Sequence, residues 1–152
     1  MGARDRLAEL GITLPSVATP AAAYQPYRVT GSLVFTAGQV PVVDGRLPLT
    51  GKLGRDLDTE QGIEMARVCG LNLLAIAQEV SGDLDRVRVV KLTVFVASDP
   101  SFTEAHLVAN GASELLGEVL GDHGVHARSA VGLCVLPKDA PVEVEAVFEL
   151  VD

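Results

Sequence analysis

The chain has 152 residues, 48% of them hydrophobic, which is the size of one compact domain that folds without disulfides. Its 12 Lys and Arg against 20 Asp and Glu give a net charge of -8 without a basic cluster, which argues against nucleic acid as a partner. Apolar runs stay shorter than the roughly 18 residues of a membrane span, and the chain begins without a signal-peptide pattern. We therefore expect no membrane association and a cytoplasmic location.

The first third of the chain predicts an N-terminal arm, a β-hairpin and a loop. The arm covers residues 1–18 and begins as a short helix that ends at Pro15. Residues 28–29 and 33–37 flank a turn that contains Gly31, and this pattern is typical of two paired strands. Residues 49–58 have no clear period and are expected to form a loop.

A long helix and a strand follow. Asp58 with Gln61 three residues later is an N-cap pattern, and apolar residues recur at helical spacing as far as Gly82. Residues 87–97 are nearly continuous in Val, Leu and Phe, which predicts a central strand covered on both faces.

A second helix and two strands complete the predicted order. Asp99 followed by Pro100 predicts an N-cap with proline in the first turn, and the helix is expected to end at Gly121. Residues 128–136 and 142–148 are predicted to form a hairpin-like pair of strands, with Cys134 buried in the first.

The two helices can cover only one face of a single sheet. Alternation in the last strand places one set of apolar side chains on that face: Val142, Val144, Ala146, Phe148 and Leu150. The opposite face carries Glu143, Glu145 and Glu149. We expect self-association to cover the second face, because most soluble oligomers are symmetric homo-oligomers.

Arg128 is the first candidate for a binding residue. It opens a strand whose next nine residues carry no charge, and a guanidinium at a sheet edge requires an anionic partner. The residues alone leave two partners open, a ligand or a structural carboxylate at a subunit contact.

An ordered series of short motifs resembles the RidA/YjgF family from about Pro20 to Leu150. The motifs are Thr19-Pro-Ala21, Gln25-Pro-Tyr27, Phe35-Thr-Ala-Gly-Gln-Val-Pro41, Gly82-Asp-Leu84, Val90-Lys-Leu-Thr-Val-Phe-Val96, Ala127-Arg-Ser129, Leu136-Pro-Lys-Asp139 and Val142-Glu-Val-Glu-Ala146. The resemblance implies one domain over residues 1–152 with a chorismate-mutase-like α+β fold, in which a single mixed sheet carries two helices on one face. It also implies a homotrimer with ligand clefts between subunits, and hydrolysis of reactive 2-imino or enamine acids. Some family members are named endoribonucleases instead.

The resemblance also assigns five site residues. It implies that Arg128 binds the substrate carboxylate and that Glu143 positions a water molecule. It places Tyr27 near the cleft, the backbone donor at Gly38 and a cleft asparagine at Asn110. These roles fit the chemistry, because a guanidinium fork grips a planar carboxylate with two hydrogen bonds and a nearby carboxylate can accept a proton from water. Neither a metal nor an organic cofactor is required.

Two substitutions and two longer segments depart from the family pattern. Ala37 stands where many relatives have serine, and Ala130 where many have cysteine. Both changes remove side-chain donors. The N-terminal arm and the loop at residues 49–58 are longer than in compact members.

The predicted order of strands constrains the site. Arg128 and Glu143 each begin their own strand, and the chain reverses between them, so they are expected at opposite ends of antiparallel segments roughly 26 Å long. They should not meet within one chain. If both serve one site, either Glu143 comes from a neighbouring subunit or the strand bends sharply.

Each residue also has a structural interpretation. Glu143 alternates with Glu145 and Glu149, and this pattern alone favours a solvated strand face over a site role. Tyr27 fits a packed turn, Gly38 a bulge, and Asn110 a cap or kink residue. Three functions therefore remain open: deamination of small imino acids, carboxylate binding without catalysis, and ribonuclease action, which the charge balance disfavours.

Overall fold

A computed structural model describes residues 1–20 and 22–152, and its central element is one five-stranded sheet. The strands are β1 (Tyr27–Thr30), β2 (Leu33–Thr36), β3 (Val87–Ala97), β4 (Ala127–Leu133) and β5 (Val142–Leu150). Their order is β1-β2-β5-β3-β4, with β3 and β4 parallel and the other neighbours antiparallel. The sheet is therefore mixed, as the resemblance implied. Ala21, which closes the first family motif, lies outside the described residues.

Three α-helices accompany the sheet: α1 (Ala3–Glu9), α2 (Thr59–Ser81) and α3 (Ala105–Leu120). The predicted capping of α2 is confirmed, because Asp58 Oδ1 accepts from Gln61 N at 2.9 Å and Gln61 Oε1 accepts from Asp58 N at 3.0 Å. Gly82 ends the helix with a φ of 73°. Across the described ranges, no helix combines the length and hydropathy needed to span a bilayer.

The predicted start of α3 is wrong by several residues. Asp99 Oδ1 accepts from the backbone N of Ser101 at 2.9 Å and from its hydroxyl at 2.6 Å, which closes a local turn instead of a helix. The short Asp side chain competes with helical hydrogen bonding in this way. The helix therefore begins at Ala105, after the non-helical Glu104.

The predicted hairpin of the last two strands is also wrong. β4 pairs in parallel with β3 from Lys91–Ala127 to Ala97–Leu133, while β5 pairs with the other edge of β3. Because α3 carries the chain from one end of β3 back to the other, β3, α3 and β4 form a crossover unit. The turn after β4 then passes the end of β3, and Lys138 and Asp139 in it both adopt left-handed φ values of 58°.

One face of the sheet is buried under α2 and α3. The predicted alternation in β5 is confirmed, since Val142, Val144 and Phe148 are fully buried. The prediction that β3 is covered on both faces is not met within one chain: Lys91, Thr93 and Phe95 on its second face are only half-buried. We call this second face, which also carries Phe35, Val131, Glu143, Glu145 and Val147, the open face.

The N-terminal arm is attached to the helical layer. In α1, the backbone N of Ala3 donates to Asp85 Oδ1 at 2.8 Å, and Arg6 Nη1 donates to the Val119 carbonyl at 3.2 Å. Ile12 and Leu14 then pack against the main core, so the arm follows the body of the protein.

Candidate functional site

Arg128 lies on the helix-covered face of β4, where α3 holds its guanidinium. Nη1 donates to Asn110 Oδ1 at 2.8 Å and to Ser113 Oγ at 3.2 Å, and Nη2 donates to the His106 carbonyl at 3.1 Å. All three acceptors are neutral. A guanidinium has five N–H donors, so these bonds leave Nε–H and one Nη2–H for another acceptor.

The charge of Arg128 has no carboxylate partner within the described part of the chain. The four salt bridges found there involve other basic residues. A structural carboxylate of the same chain is therefore not what neutralises Arg128. A half-buried cation with two free donors is suited to binding a planar anion.

Two residues near Arg128 were missed by the sequence reasoning. Ser113 Oγ lies 3.0 Å from His126 Nε2, and His126 Nδ1 lies 2.6 Å from the Gly124 carbonyl oxygen. Their spacing in the sequence could have revealed them. Ser113 follows Asn110 by three positions and so shares its helix face, and His126 precedes Arg128 by two positions and so shares its strand face.

Glu143 lies on the open face beside Gly38. A Cβ built on Gly38 would overlap Glu143 Oε1 and lie 2.9 Å from Cδ, so only glycine leaves room for this carboxylate. Burial, and next the charge of Glu145, raise the pKa of the Glu143 carboxyl above its ordinary value. A carboxylate with a raised pKa is a better proton acceptor near neutral pH.

The segment after Gly38 is fixed from both sides. Gln39 and Val144 exchange backbone hydrogen bonds of 2.8 and 2.9 Å, while Asn72 Nδ2 donates to the carbonyls of Val40 and Val42 at 3.2 and 3.3 Å. Among the described residues, the N–H of Gly38 itself has no hydrogen-bond acceptor. It is therefore available as a donor.

A groove of about 580 Å³ runs beside Gly38. Residues 15–18 of the arm and the next two residues line it, as do residues 37–40, Asn72 and Lys138. The long N-terminal arm thus contributes directly to the surface around the proposed backbone donor.

Tyr27 stands at the same end of the β1–β2 hairpin as Gly38. It pairs with Thr36 and is half-buried against the main core. The N–H of Ala37 donates to the Pro26 carbonyl at 2.8 Å, which ties the two segments together.

Arg128 and Glu143 lie on opposite faces of the sheet. Arg128 is in register with the buried Leu92, whereas Glu143 is in register with Phe95, three residues further along β3. They are therefore about 10 Å apart along the strands, with β3 between them. The two residues do not meet within one chain, as predicted. They are separated by the sheet itself and by the intervening strand β3, and not by the length of a hairpin.

The buried Cys69 offers no alternative nucleophile. Burial, and next the charge of Glu143, raise the pKa of the Cys69 thiol well above its ordinary value, so it stays neutral. Cys134 is exposed, contrary to the prediction, because β4 ends at Leu133 and Cys134 belongs to the turn that follows. No group of three His, Cys, Asp or Glu side chains converges at any place in residues 1–20 and 22–152.

Comparison with known proteins identifies the family. Residues 4–150 match the family described as "YjgF/chorismate_mutase-like, putative endoribonuclease". The chain belongs to the RidA/YjgF family. Protein TCP17 of Trypanosoma cruzi is 49% identical over 146 residues, which are 95% of this chain and 91% of that protein. The "Putative reactive intermediate deaminase TdcF" of Escherichia coli K12 is 31% identical over 119 residues, 77% of this chain and 78% of its own.

Two solved structures confirm the RidA/YjgF fold over nearly the whole chain. Atu1372 of Agrobacterium tumefaciens, a protein of unknown function, is 45% identical with a TM-score of 0.89, covering 97% of this chain and 92% of its own. A putative endoribonuclease of Shewanella oneidensis is 32% identical with a TM-score of 0.95, covering 99% of this chain and 100% of its own.

The two substitutions that depart from the RidA/YjgF pattern occupy different places. Ala130 pairs with Val94 and packs against the main core, so it borders the face that carries Arg128. Ala37 lines the groove beside Gly38. Neither alanine takes part in the hydrogen bonds that hold the Arg128 guanidinium.

Proposed function

We propose that the protein binds small 2-imino and 2-oxo carboxylic acids in clefts between the subunits of a cytoplasmic homotrimer, and that it hydrolyses reactive imines to 2-oxo acids and ammonia. The observation that carries the proposal is the state of Arg128: its guanidinium is held by neutral acceptors and keeps two N–H donors for a carboxylate.

The open face supports assembly from several copies. Phe35 is 46% exposed and Val131 is 44% exposed on this face. Glu143 and Gly38 lie on it, whereas Arg128 belongs to the other face. One complete site therefore takes Glu143 and Gly38 from one subunit and Arg128 of the partner subunit.

The reaction needs only groups that such a site provides. Arg128 holds the carboxylate, and Glu143 accepts a proton as the oxygen of a water molecule bonds to the imine carbon. The electron pair of the C=N π bond goes to nitrogen, and the Gly38 N–H and the Tyr27 hydroxyl orient the adduct. Glu143 returns its proton to that nitrogen, which gives a carbinolamine. Transfer of the adduct's hydroxyl proton to nitrogen then lets the C=O bond form as the C–N bond breaks, which leaves a 2-oxo acid and ammonia.

A trapping assay tests this proposal. An amino-acid oxidase generates 2-iminopropanoate or 2-iminobutanoate, and semicarbazide captures the imine that remains. We expect the wild-type protein to reduce the captured imine and to accelerate ammonia release, and Arg128→Ala to lose both effects. Equal rates with wild type, Arg128→Ala and no protein would exclude deamination.

Carboxylate binding without turnover is the second candidate, and Ala37 favours it because this side chain supplies no donor beside Gly38. A relative named "Putative regulator AldR" from Lactococcus lactis, 28% identical over 132 residues, is consistent with such a role. This candidate predicts saturable binding that Arg128→Ala abolishes, without product. The net charge of -8 disfavours cleavage of RNA.

A further inference from the structure

A continuous chain of hydrogen bonds begins at Arg128 and ends at a backbone carbonyl. Its members are Arg128 Nη1, Ser113 Oγ, His126 and the carbonyl of Gly124, at successive distances of 3.2, 3.0 and 2.6 Å. Ser113 and His126 are both half-buried and lie on different elements, α3 and the segment before β4. The chain therefore joins the helix to the strand that carries Arg128.

The direction of each bond follows from the Gly124 carbonyl when the imidazole ring is neutral. A carbonyl oxygen only accepts, so His126 Nδ1 carries a proton and donates to Gly124. In the neutral ring Nε2 then has a free lone pair, which accepts from the Ser113 hydroxyl. With its proton turned toward His126, the Ser113 oxygen presents its lone pairs to Arg128 Nη1.

We propose that Ser113 and His126 are positioning residues for Arg128, and that their hydrogen-bond chain fixes the guanidinium so that Nε–H and one Nη2–H face a bound carboxylate. This inference rests on the proposed function for its ligand. Asn110, also on α3, contributes a second acceptor, because its Oδ1 accepts from the same Nη1 at 2.8 Å. With both Nη1 hydrogens engaged, rotation of the guanidinium breaks two bonds at once.

A calorimetric titration with pyruvate and 2-oxobutanoate tests the chain. We expect Ser113→Ala and His126→Phe each to weaken binding about tenfold, the effect of one lost neutral hydrogen bond at a binding group. Ser113→Thr keeps the hydroxyl, and His126→Gln offers an amide oxygen where Nε2 stood, so these two should recover most of the loss. Glu114→Gln, an exposed neighbour on α3, serves as the control. Wild-type affinity in both Ser113→Ala and His126→Phe would overturn the inference.

Two further results separate this inference from the proposed function. If the wild-type protein binds neither acid, or if Arg128→Ala binds as tightly as wild type, the proposed function fails. The hydrogen-bond chain is then judged by NMR, from the exchange of the Arg128 side-chain N–H protons with water. We expect slower exchange in the wild type than in Ser113→Ala or His126→Phe, and equal exchange would overturn the positioning role whatever the ligand.

Discussion

The carboxylate of Glu143 occupies the space that any side chain at residue 38 would need. A Cβ at Gly38 would overlap Oε1 and would lie 2.9 Å from Cδ and 3.1 Å from Cγ. The φ of Gly38 is not in the left-handed region, so the requirement for glycine comes from this close approach and not from the backbone conformation. A strand residue and a loop residue are thus matched in shape at the proposed site.

Gly38→Ala is therefore expected to keep the fold and to lose activity. The overlapping atoms belong to the end of a flexible side chain, which can rotate away, so the melting temperature should change little. The displaced carboxylate should lower kcat/KM for imine hydrolysis about 100-fold, the scale of a misplacement of about 1 Å.

Gly117→Ala is the matched control, because a Cβ at this exposed position of α3 meets no atom within 4 Å. It should leave kcat/KM unchanged and stabilise the protein by about 0.5–1 kcal/mol, the cost of glycine in a helix interior. Wild-type activity in Gly38→Ala would show that Glu143 need not occupy its present position.

Glu145→Gln should shift the pH dependence of hydrolysis. The pKa of Glu143 is raised by burial and by the charge of Glu145, and only the ionised Glu143 can accept a proton. Activity is therefore lost as the pH falls through this raised pKa. Removing the charge of Glu145 lowers the pKa, so the acid limb of kcat/KM should move to lower pH. Glu149→Gln, on the same face and strand, should leave the limb in place. A limb that stays or moves upward in Glu145→Gln would contradict the role of Glu143.

Val131→Glu should dissociate the proposed homotrimer. Val131 lies on the open face in register with Phe95, and an unpaired carboxylate buried there would cost more than the contact gains. Light scattering should give about three times 15.9 kDa for the wild type and a single copy for the variant. Leu10→Glu, at an exposed apolar residue just after α1, should keep the wild-type mass. A wild-type protein that is monomeric would exclude the intersubunit site.

Asp58→Ala should destabilise the protein by about 1 kcal/mol, because its side chain and that of Gln61 each satisfy a backbone N–H at the start of α2. For a domain of this length the loss corresponds to a melting temperature lower by about 2–4 °C. Glu64→Ala, at an exposed position inside the same helix, should change it by less. Equal melting temperatures for Asp58→Ala and wild type would mean that tertiary packing alone defines this helix end.

Local signals in the sequence were enough to define some elements. The N-cap pair of Asp58 and Gln61 and the terminal Gly82 predict α2, because each signal acts within one turn of its own end of the helix. At Asp99 the same kind of signal failed, since an Asp followed by a Pro and a Ser is compatible with a local turn as well as with a helix.

Non-local relationships were harder to predict. The insertion of β3 between β4 and β5 depends on pairing between residues about 35 to 60 positions apart, which no local pattern encodes. Arg128 was found from its place at the start of an uncharged strand and from a family motif. Ser113 and His126 were not found, because their contact exists only once α3 has packed against the start of β4. Asn110 was predicted as a cleft residue, and its contact with Arg128 through the side-chain Oδ1 was not foreseen.

The wall that residues 15–20 give to the groove is separate from the hydrogen-bonded sheet. Substitutions there can widen or narrow the space beside Gly38 without breaking a strand pair or opening the main core. For the proposed site, this means that ligand selectivity and folding depend on different stretches of the chain, so selectivity can diversify among related proteins at little risk to folding.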